Sequence, residues 1–362
     1  MSESRPTPIV ACLAGDGIGP EVMAEAGRVI DAVSDLFGVR LRQVHLPFGG
    51  EAIDRHRDPF PAHVRAAVKA SDAVLLGAVG GPRWNAAARR PEQGLLDLRK
   101  DLDAFANLRP VRHGDIDLIV VRELTGGLYF GQKVLEDDRA SDLCTYDRSQ
   151  IERVARWAFR LARRRSGRVV SVDKQNVLAT SKLWRRVVGE LHAAEYAEIE
   201  LTHELVDSFA MNLATRPERY DVILTENLFG DILSDLAAAV GGGLGIAPSA
   251  SLGPEAPGIF EPVHGSAPDI AGQSEANPIA MILSVGMMFT YGLNRRDIGR
   301  AITAAVDSVL AEGIATSDQV AGGRVYATWE VGQAVCDALG HHATASAEFQ
   351  EHPFESRLVA RG

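Results

Sequence analysis

Short apolar runs alternate with helix-patterned segments along almost the whole of this chain. Residues 9–13, 73–76, 118–121, 169–172 and 222–224 read as buried strands. Between them the apolar spacing lengthens: Ile151, Val154, Ala155, Ala158, Leu161 and Ala162 follow a helical period. Such alternation predicts an α/β fold with a largely parallel sheet. With 362 residues the chain has room for two domains, and a 46% hydrophobic content supplies their cores. Glycine- and proline-rich punctuation at 80–82 and 241–258 predicts loops, the second a hinge between domains. Residues 279–293 are the most apolar long stretch. Ser284, Gly286 and Gly292 interrupt it, and it is too short to cross a bilayer, so it reads as a buried helix. Residues 343–362 show no clear period and read as a loose tail.

A net charge of −10 argues against nucleic acid as a partner, while local arginines still allow an anionic substrate. Cys12, Cys144 and Cys336 are odd in number and far apart, which suits reduced thiols in a cytoplasm rather than a disulfide framework. Residues 1–8 are polar and contain prolines, unlike a signal peptide. No membrane partner is expected.

The segment 226–235 (ENLFGDILSD) places Asp231 and Asp235 four residues apart in a helix-like apolar run, so both carboxylates share one face. Two like charges this close resist ionising together unless a cation lies between them. Oxygen-only donors suit a hard divalent ion such as Mg²⁺ or Mn²⁺. The same spacing also describes two solvated acids on a surface helix. The apolar neighbours Ile232, Leu233 and residues 236–240 predict a well-buried helix and favour the metal. Asp207, in a mostly apolar setting, is a candidate third carboxylate.

Arg99, Arg109 and Arg122 form a second set. Arg122 ends an apolar strand and precedes a glycine turn, the placement of a carboxylate-binding guanidinium, although unrelated surface salt bridges would give the same spacing. Tyr129 follows Gly126 and Gly127. Lys174 ends a strand, where it is either a solvated charge or, if desolvated, a base. Residues 15–21 (GDGIGPE) have the form of a phosphate-binding glycine turn but lack the third glycine of GxGxxG, and a ligand-free strand–helix turn looks the same. Residues 261–272 (EPVHGSAPDIAG) are a loop of small residues that lets a ligand approach the backbone.

Taken in order, the segments 15–21, 122–129, 171–177, 226–235 and 261–272 resemble the β-decarboxylating dehydrogenases, the family of isocitrate, isopropylmalate and tartrate dehydrogenases. The resemblance runs from about residue 8 to 340. It implies two α/β domains sharing a large mixed sheet, without a Rossmann domain: residues 1–104 with 242–362 for the cofactor, and 105–241 for substrate, metal and dimerisation. The segment 94–99 (GLLDLR) is similar to the isopropylmalate branch, with Leu95 and Leu96 facing an isopropyl group. The implied activity is oxidative decarboxylation of 3-isopropylmalate in leucine biosynthesis. Another 3-substituted malate and a non-catalytic subunit of the same fold are the alternatives.

By the same resemblance Arg99, Arg109 and Arg122 hold the malate carboxylates and Val177 adds a substrate contact. Asp231 and Asp235 bind Mg²⁺ or Mn²⁺ together with Asp207, which with Lys174 comes from the second subunit of a homodimer. Lys174 assists deprotonation and Tyr129 protonates carbon. The cofactor contacts fall on Ile18, Gly80, Gln93, His264, Gly265, Ser266, Ala267, Asp269, Ile270 and Asn277. Asp269 and Ile270 replace a basic residue and a tyrosine of NADP-dependent relatives, and a carboxylate there favours NAD. The chain departs from the pattern in four places, the first being Ala14, where a proline is usual before Gly15. Twelve residues separate Arg109 from Arg122, fewer than usual; the segment 131–146, the dimer arm of the family, is acidic; and Phe209 is bulky enough to reshape the pocket.

Overall fold

The computed structural model describes residues 7–320 and 322–346. The chain forms two compact units, Met1–Leu102 with Leu244–Gly362, and Asp103–Gly243. In chain order the strands are β1 (Ile9–Gly15), β2 (Arg42–His45), β3 (Ala73–Ala78), β4 (Ala106–His113), β5 (Ile116–Glu123) and β6 (Lys133–Leu135). They continue as β7 (Ala140–Asp142), β8 (Arg168–Asp173), β9 (Glu200–Leu205), β10 (Val222–Thr225), β11 (Pro248–Leu252) and β12 (Gly258–Pro262).

In the first unit the strands lie in the order β2-β1-β3-β12-β11. All neighbours are parallel except β11, which runs antiparallel to β12. Every residue of β3, β11 and β12 is buried, as expected for strands covered on both faces. The helix Gly19–Phe37 buries Val22, Ala26, Val29, Ile30 and Val33, a stripe at helical spacing. Pro20 sits in its first turn, where no amide partner is lost, and Gly38 closes it at φ 63°, a left-handed cap. Ile279–Met287 is a buried helix, extended by a π turn over Met288–Gly292.

The second unit orders its strands β4-β5-β10-β8-β9, again parallel apart from the β4–β5 pair. That pair explains the short spacing between Arg109 and Arg122. His113 pairs with Ile116 across a two-residue turn, with Gly114 at φ 54° supplying the left-handed residue such turns require. The helix Arg148–Ala162 starts with a reciprocal cap: Asp147 accepts from the Gln150 amide at 2.8 Å, and the Gln150 side chain accepts from the Asp147 amide at 3.0 Å. β6 and β7 pair as an exposed antiparallel ribbon between Tyr129 and Tyr146.

Three expectations change. The segment 241–258 is not loop throughout, because β11 lies inside it; its Pro-Ser-Ala-Ser-Leu sequence is short and lacks the β-branched residues that mark strands. The chain is helical through Ser346, so the tail does not begin at 343, and its remainder lies outside the described residues. Phe209 faces the core rather than a pocket. It is fully buried against Leu213, Ile223 and Leu233, with its ring 4.7 Å from that of Tyr220. Phe209→Ala is therefore expected to cost about 3–5 kcal/mol of stability while leaving substrate preference unchanged. Denaturant unfolding and a substrate panel on the variant check both halves of this expectation.

Candidate active site

The helix Asn227–Val240 carries Asp231 and Asp235 one turn apart. It buries Gly230, Leu233, Ser234, Ala237 and Ala238, but Ile232 is 61% exposed, so the helix presents one open face rather than being buried all round. Both carboxylates lie toward that open side and are held by arginines from the β4–β5 pair. Arg109, 8% exposed, donates from Nε to Asn107 Oδ1 at 2.7 Å, and from Nη1 to Ser234 Oγ at 2.7 Å and Asp235 Oδ1 at 3.1 Å. Arg122, 2% exposed, donates to Asn227 Oδ1 from Nε at 3.1 Å and Nη2 at 2.7 Å, and to Asp231 Oδ1 from Nη1.

The structure thus brings Arg109, Arg122, Asp231 and Asp235 together. Burial pushes the Asp235 carboxyl up, and the Asp231 charge adds to the rise while Arg109 opposes it. An all-oxygen pair whose charges repel each other fits a hard divalent cation.

Tyr129 joins this group from the turn Gly127–Tyr129, its hydroxyl donating to Asp231 Oδ2 at 2.7 Å. Burial and that carboxylate push the hydroxyl up to about 12, so it keeps its proton at neutral pH. Lys174 and Asp207 stand apart from these residues and pair with each other, Nζ to Oδ1 at 2.6 Å. Asp207 opens the helix Val206–Thr215, and its carboxyl is held low by Lys174. Among the described residues no group of three His, Cys, Asp or Glu is placed to hold a metal ion. One chain therefore supplies Asp231 and Asp235 at one place and Asp207 at another. Val177 follows Lys174 in an exposed turn.

In the first unit the expected cofactor loops are tied to one another. Asp16 accepts from the amides of Gly50 at 3.0 Å, Glu51 at 3.2 Å and Gly80 at 2.9 Å. The Ile18 amide donates to Ser266 O at 2.8 Å, and Glu21 accepts from the amides of Gly272 and Ser274. A Cβ on Gly17 would stand 1.9 Å from Ser266 O, so that glycine serves the chain's own backbone packing. Gln93 caps its helix by accepting from the Arg90 amide at 2.9 Å. Asn277 donates to Asp318 at 3.0 Å, whereas Gly265, Ala267, Asp269 and Ile270 line the turn that follows His264.

His264 Nε2 is buried with no hydrogen-bond partner, and burial holds the ring below its usual pKa and thus neutral. A buried orphan nitrogen among these loops fits a bound ligand group such as that of a dinucleotide. On the helix Pro91–Asp101, Arg99 donates to Glu261 Oε1 at 2.8 Å while its buried Nε has no partner. Leu95 is half-buried one helical turn before Arg99, and Leu96 is exposed beside it.

The profile described as isocitrate/isopropylmalate dehydrogenase matches residues 9–335. The chain belongs to this family. It is accordingly an oxidoreductase of the β-decarboxylating type. It is 48% identical over 360 residues to the 3-isopropylmalate dehydrogenase of Shouchella clausii, covering 93% of this chain and 99% of that one. It is 52% identical over 325 residues to the Bacillus cereus (strain ATCC 10987) enzyme of the same name, covering 85% and 91%. Its fold is similar to the crystal structure of isocitrate dehydrogenase from Methylococcus capsulatus, with TM-score 0.84 and 34% identity over 92% of this chain and 99% of that one. A β-decarboxylating dehydrogenase from Thermococcus kodakarensis gives TM-score 0.82 and 37% identity over 95% of this chain and 100% of that one.

The dehydrogenase also uses residues that sequence reasoning passed over. Asn107, Ser234 and Asn227 orient the two buried arginines, while Asp16, Glu21 and Asp318 knit the loops. Gly230 offered a readable signal, as a glycine inside a helical pattern. A Cβ there would lie 2.6 Å from Arg122 Cγ. Alanine would gain up to about 1 kcal/mol of helix propensity, but overpacking against a buried side chain costs about 1–3 kcal/mol. Gly230→Ala is thus expected to lower the melting temperature and to reduce kcat/KM at least tenfold. Thermal melts and steady-state kinetics on the variant check this.

Proposed function

We propose that this dehydrogenase oxidises and decarboxylates 3-isopropylmalate, giving 4-methyl-2-oxopentanoate and CO₂ in leucine biosynthesis. The observation that carries the substrate reading is the helix Pro91–Asp101, which sets apolar Leu95 and Leu96 beside Arg99 with its open Nε. A third substrate carboxylate placed against such leucines would gain no hydrogen bond from their side chains. An isopropyl group gains by the same contact. The relatives sharing about half of the sequence carry the matching name. Phe209, the residue that favoured a differently shaped substrate, lies in the core.

Arg99, Arg109 and Arg122 are assigned to the malate carboxylates, with Val177 as a further apolar contact. Asp231 and Asp235 of one copy, with Asp207 of a second, are the residues that would hold Mg²⁺ or Mn²⁺. Bound there, the cation supplies charge that acidifies the substrate hydroxyl and polarises the adjoining carbonyl. NAD⁺, on the loops holding Ile18, Gly80, Gln93, His264 and Asn277, supplies the hydride acceptor. Lys174 of the second copy assists removal of the proton from the hydroxyl at C2. Tyr129, protonated at neutral pH, gives a proton to the carbon that has lost CO₂. The exposed Asp269 carboxylate repels a 2′-phosphate and favours NAD over NADP.

The pairing of Lys174 with Asp207, away from Asp231, supports a homodimer in which each copy completes the other's site. So do the apolar side chains on the same unit: Met211 is 63% exposed, Ile232 61% and Leu135, on the ribbon, 87%. A cytoplasmic setting agrees with the pathway and with three free cysteines.

NADH formation with Mn²⁺ is the direct test, comparing 3-isopropylmalate with malate, isocitrate and tartrate, and NAD⁺ with NADP⁺. A preference for isopropylmalate with NAD⁺ of at least a hundredfold over isocitrate is expected. Faster turnover of isocitrate, or of another malate, would replace this substrate reading.

A further inference from the structure

We propose that Tyr146 is a positioning residue for Tyr129, acting through the glycine turn that lies between its ring and the carboxylate-bearing helix. The inference rests on the assignment of Tyr129 as the proton donor. Tyr146 stands where the β6–β7 ribbon returns to the body of its unit, seventeen residues after Tyr129. Its hydroxyl donates to Glu226 Oε2 at 3.1 Å and accepts from the Asn227 amide at 3.0 Å. Glu226 in turn caps the helix Asn227–Val240, its Oε1 accepting from the Phe229 amide at 2.7 Å. The Tyr146 ring is wedged edge-on against Trp184, centroids 5.8 Å apart. The hydroxyl is thereby fixed to the first turn of the helix that presents Asp231 and Asp235.

The other side of Tyr146 is covered by the turn that leads into Tyr129. A Cβ on Gly126 would stand 2.5 Å from Tyr146 Cε1, and one on Gly127 would stand 2.5 Å from the hydroxyl oxygen. Only a bare backbone can lie this close, and Gly127 does so at φ 75°. The Gly127 amide also donates to Thr145 O at 3.0 Å, so the turn is hydrogen-bonded to the residue before Tyr146. Asn227 Nδ2 reaches Gly126 O at 3.1 Å from the helix side. Gly127–Tyr129 is one 3₁₀ turn, so whatever sets Gly127 sets the direction in which the Tyr129 side chain leaves. Removing the Tyr146 hydroxyl leaves the Asn227 amide and Glu226 Oε2 each short of a partner, and frees the floor beneath the turn. Tyr146 itself needs no contact with substrate for this role.

The test is a double-mutant cycle on the full-length enzyme with saturating Mn²⁺ and NAD⁺, reading kcat, KM for 3-isopropylmalate and melting temperature. Tyr146→Phe is expected to lower kcat at least tenfold with KM changed less than twofold. In a Tyr129→Phe background the same substitution is expected to cost nothing further, because a misplaced donor and an absent one are equivalent. A purely structural residue would multiply its loss onto that of Tyr129→Phe, and this result would overturn the proposal, as would full kcat in Tyr146→Phe alone. Full kcat in Tyr129→Phe alone would instead remove the donor assignment on which the proposal stands, and the two failures are read from different single variants. If Tyr146→Phe does not fold, Glu226→Gln keeps the ring packed and, with its one amide oxygen retained on the Phe229 cap, takes away the acceptor of the hydroxyl. It is expected to lose several-fold in kcat, again with no added loss beside Tyr129→Phe, and compounding losses there would equally reject the role.

Discussion

A buried positive charge governs the second unit. The Arg122 guanidinium is almost fully removed from water, and a lone ion in that position would cost several kcal/mol after relaxation. The surroundings answer it: Asn227 Oδ1 takes two of its N–H groups and the Asp231 carboxylate takes another and supplies the opposite charge. Those two partners lie one turn apart on a single helix, so compensating the charge also fixes the helix's rotation. Gly230, between them, is the position at which the arginine stem passes the helix backbone. The carboxylate pair is aimed where it is because the arginine must be satisfied.

The same economy of partners explains what the sequence made legible. Buried parallel strands such as β3, β8 and β10 announce themselves as apolar runs because both faces are covered. The i, i+4 spacing of Asp231 and Asp235 needs no tertiary information, and their shared face is present. β2 and β9 were missed because their residues are charged or polar and mostly half-exposed, and β11 because its residues are small. Register and antiparallel pairing, as between β4 and β5, are set by partners distant from any motif. The helix that carries Asp231 and Asp235 reads as well buried because Ile232 is apolar, although it points outward.

Within the site, charged residues were easier to find than the neutral ones that hold them. Asn107, Asn227 and Ser234 are ordinary polar residues until Arg109 and Arg122 are seen to end on them. The pairing of Lys174 with Asp207 was equally invisible, since the two are separated by 33 positions and joined only when β8 and β9 lie side by side.

The loops of the first unit have a consequence for anyone exchanging them. Ser266 O, the amides of Gly272 and Ser274, and the Asp16 carboxylate are joints between segments. A transplanted loop that shifts any joint would disturb its neighbours before it met a ligand. The side chains of Asp269 and Ile270 carry no joint, and they sit in the middle of that same segment. Single substitutions at these two positions can therefore be accepted with the scaffold left as it is.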